Sequence, residues 1–207
     1  MHERKIRVRR KVEIPMDGSE TPTFVTFDGF GKHEEHFALL FSGIEESRAP
    51  VPLVRVHSEC LTGDVFHSKR CDCGAQLRYS TDAIGRQGGV LIYLRQEGRG
   101  IGLNAKIDAY DLQSKGYDTF DANLALGHPE DARDFTVAAD MLKALGVERI
   151  RLLTNNPEKA ARIRERGIDI VEVIETPTFE TPENIAYLRA KRDRHGHTIV
   201  QRDGANK

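Results

Sequence analysis

The chemistry of this chain concentrates in its three cysteines, Cys60, Cys71 and Cys73, which are all the cysteines it has. They lie in Arg55-Val56-His57-Ser58-Glu59-Cys60-Leu61-Thr62-Gly63-Asp64 and in Arg70-Cys71-Asp72-Cys73-Gly74. Three clustered soft donors suit a zinc ion with three protein ligands and one open coordination position, which is the arrangement of catalytic zinc. The neighbouring Lys69 and Arg70 make the surroundings electropositive and favour thiolates. Other readings of the same residues stand beside this one. Buried thiols can simply fill core space. A disulfide would leave one thiol over, and no signal peptide places the chain in an oxidising compartment. A closed structural site would need a fourth ligand, with His57 and His67 near enough in sequence to supply it.

A second segment, Tyr93-Leu94-Arg95-Gln96-Glu97-Gly98-Arg99-Gly100-Ile101-Gly102-Leu103, runs from the end of an apolar stretch into a helical pattern. Its alternating glycines permit close backbone approach and its arginines carry charge, a combination suited to a phosphate. A tight turn accounts for the glycines equally well, and neither the P-loop nor the dinucleotide fingerprint is matched. In a third segment, Gly127-His128-Pro129-Glu130-Asp131-Ala132-Arg133-Asp134-Phe135, the acids suit the start of the following helix. If functional, Arg133 between two aspartates would be held by carboxylates beside a phosphoryl group.

The elements that must position these groups are readable from periodicity. Ile6, Val8, Val12 and Ile14 alternate as one face of a strand interrupted by Arg10, and a Pro15-Met16-Asp17-Gly18 turn follows. Short apolar runs at 24–27, 37–41 and 53–56 extend the strand-rich N-terminal part. Beyond the cysteines, 76–84 reads as helix and 90–94 as a buried strand, and Leu103, Ile107 and Tyr110 recur as a helical stripe. Phe135, Ala138, Ala139, Leu142 and Leu145 mark a helix closed by Gly146, and 149–153 is a strand. Asn156-Pro157 pairs a cap with a proline suited to the first helical turn. A strand at 168–174 and a closing helix from Thr181-Pro182 complete an α/β chain with a mixed or parallel sheet and flanking helices. With 207 residues, 39% hydrophobic and no linker or repeat, a single domain spanning 1–207 is expected.

The formal net charge of −1 conceals basic ends. Arg4, Lys5, Arg7, Arg9, Arg10 and Lys11 crowd one, and Arg189, Lys191, Arg192 and Arg194 the other. They admit a zinc-stabilised nucleic-acid-binding module as an alternative, but no reading motif accompanies them and nucleic acid is not expected as a partner. No apolar run reaches membrane-spanning length, so a cytoplasmic chain without membrane contact is expected.

Taken together, the segments resemble the GTP cyclohydrolase II family. The resemblance rests on R-V-H-S-E-C-L-T-G-D at 55–64, R-C-D-C-G-A-Q-L at 70–77 and Y-L-R-Q-E-G-R-G-I-G-L at 93–103. It continues in A-Y-D-L-Q at 109–113, G-Y-D-T at 116–119, A-N-L-A-L-G at 122–127 and L-L-T-N-N-P-E-K at 152–159. It implies a hydrolase that opens the guanine ring of GTP at the start of riboflavin biosynthesis. The products would be 2,5-diamino-6-ribosylamino-4(3H)-pyrimidinone 5′-phosphate, formate and pyrophosphate. By the same resemblance, Cys60, Cys71 and Cys73 would bind one Zn²⁺ per subunit, and a zinc-activated water would attack guanine C8. Tyr110 would complete the deformylation. Arg133 would act at the α-phosphorus, as nucleophile or as electrostatic stabiliser, with Asp131 as proton acceptor.

Substrate contacts would come from Arg55, Val56, His57, Ser58, Glu59, Gln76, Glu97, Gly98, Arg99, Thr119, Thr154 and Lys159. Mg²⁺ would accompany the triphosphate, with Glu97 holding that ion, recognising the base or ordering Arg99. A homodimer is implied as well. The chain departs from the family pattern at Gly102-Leu103-Asn104-Ala105-Lys106-Ile107, where typical members read G-L-L-N-K-I. It departs again in the tail from Glu175 to Glu180 and at His195-Gly196-His197. These differences leave room for a paralogue that stops at the formamidopyrimidine nucleotide in a secondary pathway.

Overall fold

The computed structural model describes residues 5–16, 21–31, 34–42, 51–196 and 198. Arg4, the Asp17-Gly18 part of the expected turn and His197 lie outside the described residues, as do the side chains of Thr119, Lys191, Arg194 and His195. Two compact units emerge from the contacts. One comprises Met1–His57, Tyr79–Arg95 and Phe135–Ile174, and the other Ser58–Arg78, Gln96–Asp134 and Glu175–Lys207.

The first unit is built on a seven-stranded mixed sheet of β1 (Arg7–Glu13), β2 (Thr23–Asp28), β3 (Phe37–Phe41), β4 (Leu53–Ser58), β5 (Gly89–Leu94), β6 (Arg149–Leu153) and β7 (Asp169–Ile174), in the order β1-β2-β3-β5-β4-β6-β7. Strands β1, β2, β3 and β5 pair antiparallel, whereas β4, β6 and β7 pair parallel. The central strands β4 and β5 are buried along almost their whole length, as expected of runs covered on both faces. Val25, Ala38, Val90, Ile92, Val54, Ile150 and Leu152 share a core with Val137, Ala138, Met141 and Leu142 of the helix Thr136–Ala144 and with Ala160 and Ile163 of the helix Pro157–Glu165.

The expected single apolar face of β1 is corrected by the structure. The register shifts between Val8 and Arg10, where Arg10 interrupts the alternation. An extra residue there reverses which side chains point inward. Ile6 and Val8 therefore join the core, while Val12 and Ile14 are exposed.

The second unit is helical. It contains the short helix α1 (Leu61–Asp64) and a 3-10 turn (Glu97–Gly100), followed by helices α3 (Leu103–Ser114), α4 (Thr119–Ala125) and α7 (Ile185–His195). The helix α2 (Cys73–Gln87) begins within this unit, and the two helices of the first unit already described are α5 and α6. The stripe expected on α3 is also corrected. Leu103 and Ile107 are exposed, and Lys106 and Ala109 are the buried residues of that helix. Among the described residues no helix is long and apolar enough to cross a membrane.

Candidate active site

The three cysteines converge in the second unit. Their Sγ atoms lie within 4.8 Å of one another, with Cys60 Sγ 3.6 Å from Cys71 Sγ. All three are free thiols, which removes the disulfide reading. Zn–S bonds of about 2.3 Å at tetrahedral angles put sulfurs about 3.8 Å apart, so the cluster has the dimensions of a three-thiolate zinc site. Among the described residues this metal-capable group consists of the three cysteines and contains no histidine.

Local backbone structure builds the cluster. Cys60 caps α1, its carbonyl accepting from the Gly63 and Asp64 amides and its own amide donating to Asp64 Oδ2 at 3.0 Å. Gly63 lies against the sulfurs, where a Cβ would stand 2.9 Å from Cys71 Sγ and 3.1 Å from Cys60 Sγ. Buried Asp72 between the other two ligands holds Gln76 Nε2 at 2.7 Å.

The thiols are electrostatically linked. Hydrogen bonds from Cys71, then Cys73, pull the Cys60 thiol far below its ordinary pKa, with Lys106 adding to the effect. The hydrogen bond to Cys60 in turn pushes Cys71 up to about 11 and also holds Cys73 well above the ordinary thiol value. One thiolate thus forms readily at the expense of its neighbours. A bound cation is what lets all three ionise together.

Around the sulfurs stand Tyr110, Lys106 and Glu97. Tyr110 Oη lies 3.5 Å from Thr62 Oγ1, and its ring carries Arg70 at 5.0 Å and Lys106 Nζ at 5.7 Å. Burial raises the phenol pKa, so Tyr110 keeps its proton at neutral pH. Lys106 Nζ donates to Cys60 Sγ at 3.2 Å and to Glu97 Oε1 at 2.8 Å. Burial opposes the lysine charge, but the Cys60 sulfur and Glu97 outweigh it and raise its pKa. Glu97 Oε1 also accepts from the Gly98 amide at 2.7 Å, and Oε2 from the Leu61 amide at 2.6 Å. Both oxygens of this buried carboxylate are therefore engaged within the protein.

The glycine-rich turn is partly a packing device. Gly98 and Arg99 both have φ of 62°, and a Cβ on Gly98 would come within 3.1 Å of the Lys106 Cβ. A Cβ on Gly100 would press on the Ala132 backbone at 2.9 Å, while the Ala132 amide donates to the Arg99 carbonyl at 2.9 Å. The turn thus brings Arg99 beside the segment of Asp131 and Arg133. Arg133 Nε and Nη2 both donate to the Asp131 carboxylate, and the Arg133 amide donates to Oδ1 at 3.0 Å. Burial opposes both charges, yet the pairing wins: Asp131 is held below the ordinary carboxylate value and Arg133 above the ordinary guanidinium value. Tyr187 of α7 faces Arg99, with the guanidinium 5.9 Å from the ring centre.

Of the expected substrate contacts, Ser58, Glu59, Gln76, Glu97, Gly98, Arg99 and Thr119 belong to this unit. Ser58 Oγ is buried without a hydrogen-bond partner among the described residues. Arg55, Val56, His57, Thr154 and Lys159 belong to the first unit, at the carboxyl ends of the parallel pair β4 and β6 and the start of α6. There Arg55 Nη1 donates to the Leu153 carbonyl at 3.2 Å, and buried Lys159 Nζ to the Val56 carbonyl at 2.7 Å. Thr154 Oγ1 accepts from the Asn156 amide at 3.0 Å, and the His57 ring lies 5.4 Å from that of Tyr93. Sequence reasoning missed Lys106, Thr62 and Tyr187. The available signal for Lys106 was its spacing from Tyr110, which puts both on one helical face.

The sequence model of the family described as GTP cyclohydrolase II matches residues 7–175. A GTP cyclohydrolase-2 of Psychromonas ingrahamii is 49% identical over 94% of this chain and 97% of its own length. One from Vibrio parahaemolyticus is 49% identical over 94% of this chain and 98% of its own. A riboflavin biosynthesis protein RibBA of Staphylococcus epidermidis is 46% identical over 95% of this chain but 49% of its own length.

Proposed function

This chain belongs to the GTP cyclohydrolase II family, and we propose that, as a single catalytic domain, it hydrolyses GTP to the diaminopyrimidinone nucleotide, formate and pyrophosphate in riboflavin biosynthesis. The observation that carries the reading is the cluster of three cysteine sulfurs with Tyr110 beside it. Cys60, Cys71 and Cys73 would hold zinc, which when bound supplies the Lewis acidity that makes water a nucleophile toward guanine C8 at neutral pH.

The surrounding residues divide the remaining work. Tyr110 Oη, protonated and oriented by Thr62 Oγ1, delivers a proton to the amine released as the formyl carbon leaves. That role favours the complete reaction over arrest at the formamidopyrimidine nucleotide. Arg133 stays a guanidinium and stabilises charge developing on the α-phosphoryl group as pyrophosphate departs. Asp131, held ionised by that guanidinium, fixes its orientation and is a poor proton acceptor.

Arg99 adds positive charge to the same segment. Gln76, oriented by Asp72, presents an amide to the substrate, and Ser58 an uncommitted hydroxyl. Contacts to GTP from Arg55, Val56, His57, Glu59, Gly98, Thr119, Thr154 and Lys159 form part of the same proposal. Glu97 braces the metal loop instead of binding magnesium, because both its oxygens are engaged. Mg²⁺ then travels with the triphosphate. The working protein is a cytoplasmic homodimer, which sedimentation velocity tests.

Metal analysis of the wild type and Cys60→Ser tests the zinc assignment. The wild type should hold about one zinc per chain, and the variant should lose both zinc and formate release. A variant that keeps zinc and releases formate at the wild-type rate would overturn it.

A further inference from the structure

We propose that Lys106 is a positioning residue of the metal centre, its ammonium holding the Cys60 sulfur and the Glu97 carboxylate together so that a three-thiolate zinc site is fixed in place and part of its negative charge is offset. This inference rests on the reading of the cysteines as a zinc site. Lysine is rarely buried, yet Lys106 is turned inward on α3 while Leu103 and Ile107 of the same helix face solvent. A helix shaped by stability alone would do the reverse, since burying an ion pair gives no advantage over apolar packing.

The contacts show what the burial achieves. Lys106 Nζ reaches Cys60 Sγ at 3.2 Å and Glu97 Oε1 at 2.8 Å, and the other Glu97 oxygen takes the Leu61 amide at 2.6 Å. Cys60 and Leu61 are thus tied to the 97–100 turn through one ammonium and one carboxylate. Gly98 makes room for the lysine stem, because a side chain there would press on the Lys106 Cβ. The charge count agrees. Three thiolates around a dication leave one negative charge and Glu97 adds another, and the Lys106 ammonium offsets one of the two. An N–H donor on a ligating sulfur also withdraws electron density from it, leaving the bound metal more electrophilic.

Zinc affinity by chelator competition and the sulfur-to-cobalt charge-transfer absorption of the cobalt-substituted protein test this on full-length wild type, Lys106→Met and Lys106→Arg. Lys106→Met should weaken zinc binding by about 10–100-fold, shift the charge-transfer band and lower the ratio of formate to pyrophosphate. Lys106→Arg, which keeps the charge, should recover most of the affinity while shifting the band through its altered contact with sulfur. Wild-type affinity and spectrum in Lys106→Met would overturn the proposal. Should Lys106→Met fail to fold, an unshifted band in Lys106→Arg would overturn it alone. A wild type that binds neither zinc nor cobalt would instead refute the underlying zinc reading.

Discussion

Arginine is a poor nucleophile while protonated, and everything around Arg133 keeps it so. Its Nε and Nη2 both bond to Asp131, and the pair shifts each partner toward its charged form. Arg133→Ala should therefore abolish pyrophosphate release, and wild type quenched in denaturant at alkaline pH, where a phosphoramidate survives, should show no guanylyl adduct by intact mass. An accumulating adduct on Arg133 would restore the covalent alternative. The pairing has a pH consequence with a definite sign. Asp131 is depressed below its ordinary value of 3.8, so its stabilisation is complete above that value and disappears as pH falls through the lower, folded-state value. In thermal melts, the difference between wild type and Asp131→Asn should be constant near neutrality and shrink below about pH 4. The cysteines were legible because rare soft donors at short spacing have few other uses. Lys106 was not, because a lysine on a helix is ordinarily solvated, and only the fold puts it against a sulfur.

At the level of elements, α3 is the most instructive departure. Its apolar residues suggested a core stripe through Leu103, Ile107 and Tyr110, but the buried residues are Lys106 and Ala109. Periodicity identified the helix and misjudged its face, because polar contacts at Cys60 and Glu97 override apolar burial. The strand β1 repeats the lesson, with a bulge that periodicity registers only as an interruption. The start of α6, which carries a local signal, was read correctly, whereas the closing helix expected from Thr181-Pro182 begins at Ile185. Asn156 does cap α6, accepting from the Lys159 amide at 3.3 Å, and Pro157 occupies its first turn. Asn156→Ala should cost about 1 kcal/mol in denaturant unfolding. The helix α1 is too short to announce itself, yet its Gly63 sets the spacing of the sulfurs. Gly63→Ala must displace Cys71 Sγ or Cys60 Sγ, and chelator competition should find its zinc affinity lowered while the far-UV circular dichroism is retained.

For the whole molecule, the α/β class and mixed sheet followed from alternating apolar runs and helical patterns. The division into two compact units did not. Their segments alternate along the chain, so no linker or change of composition marks a boundary. If zinc binds the folded state alone, removing it with a chelator should lower the melting temperature. The loss would correspond to about 4 kcal/mol where free zinc stands a thousandfold above its dissociation constant. The central claim concerns the reaction itself. The most direct test is to incubate purified protein with GTP, Zn²⁺ and Mg²⁺, weigh the nucleotide product by mass spectrometry and quantify formate and pyrophosphate in parallel. Equal formate and pyrophosphate with the mass of the diaminopyrimidinone nucleotide is the predicted result. A product that retains its formyl group, or intact GTP beside fully zinc-loaded protein, would contradict it.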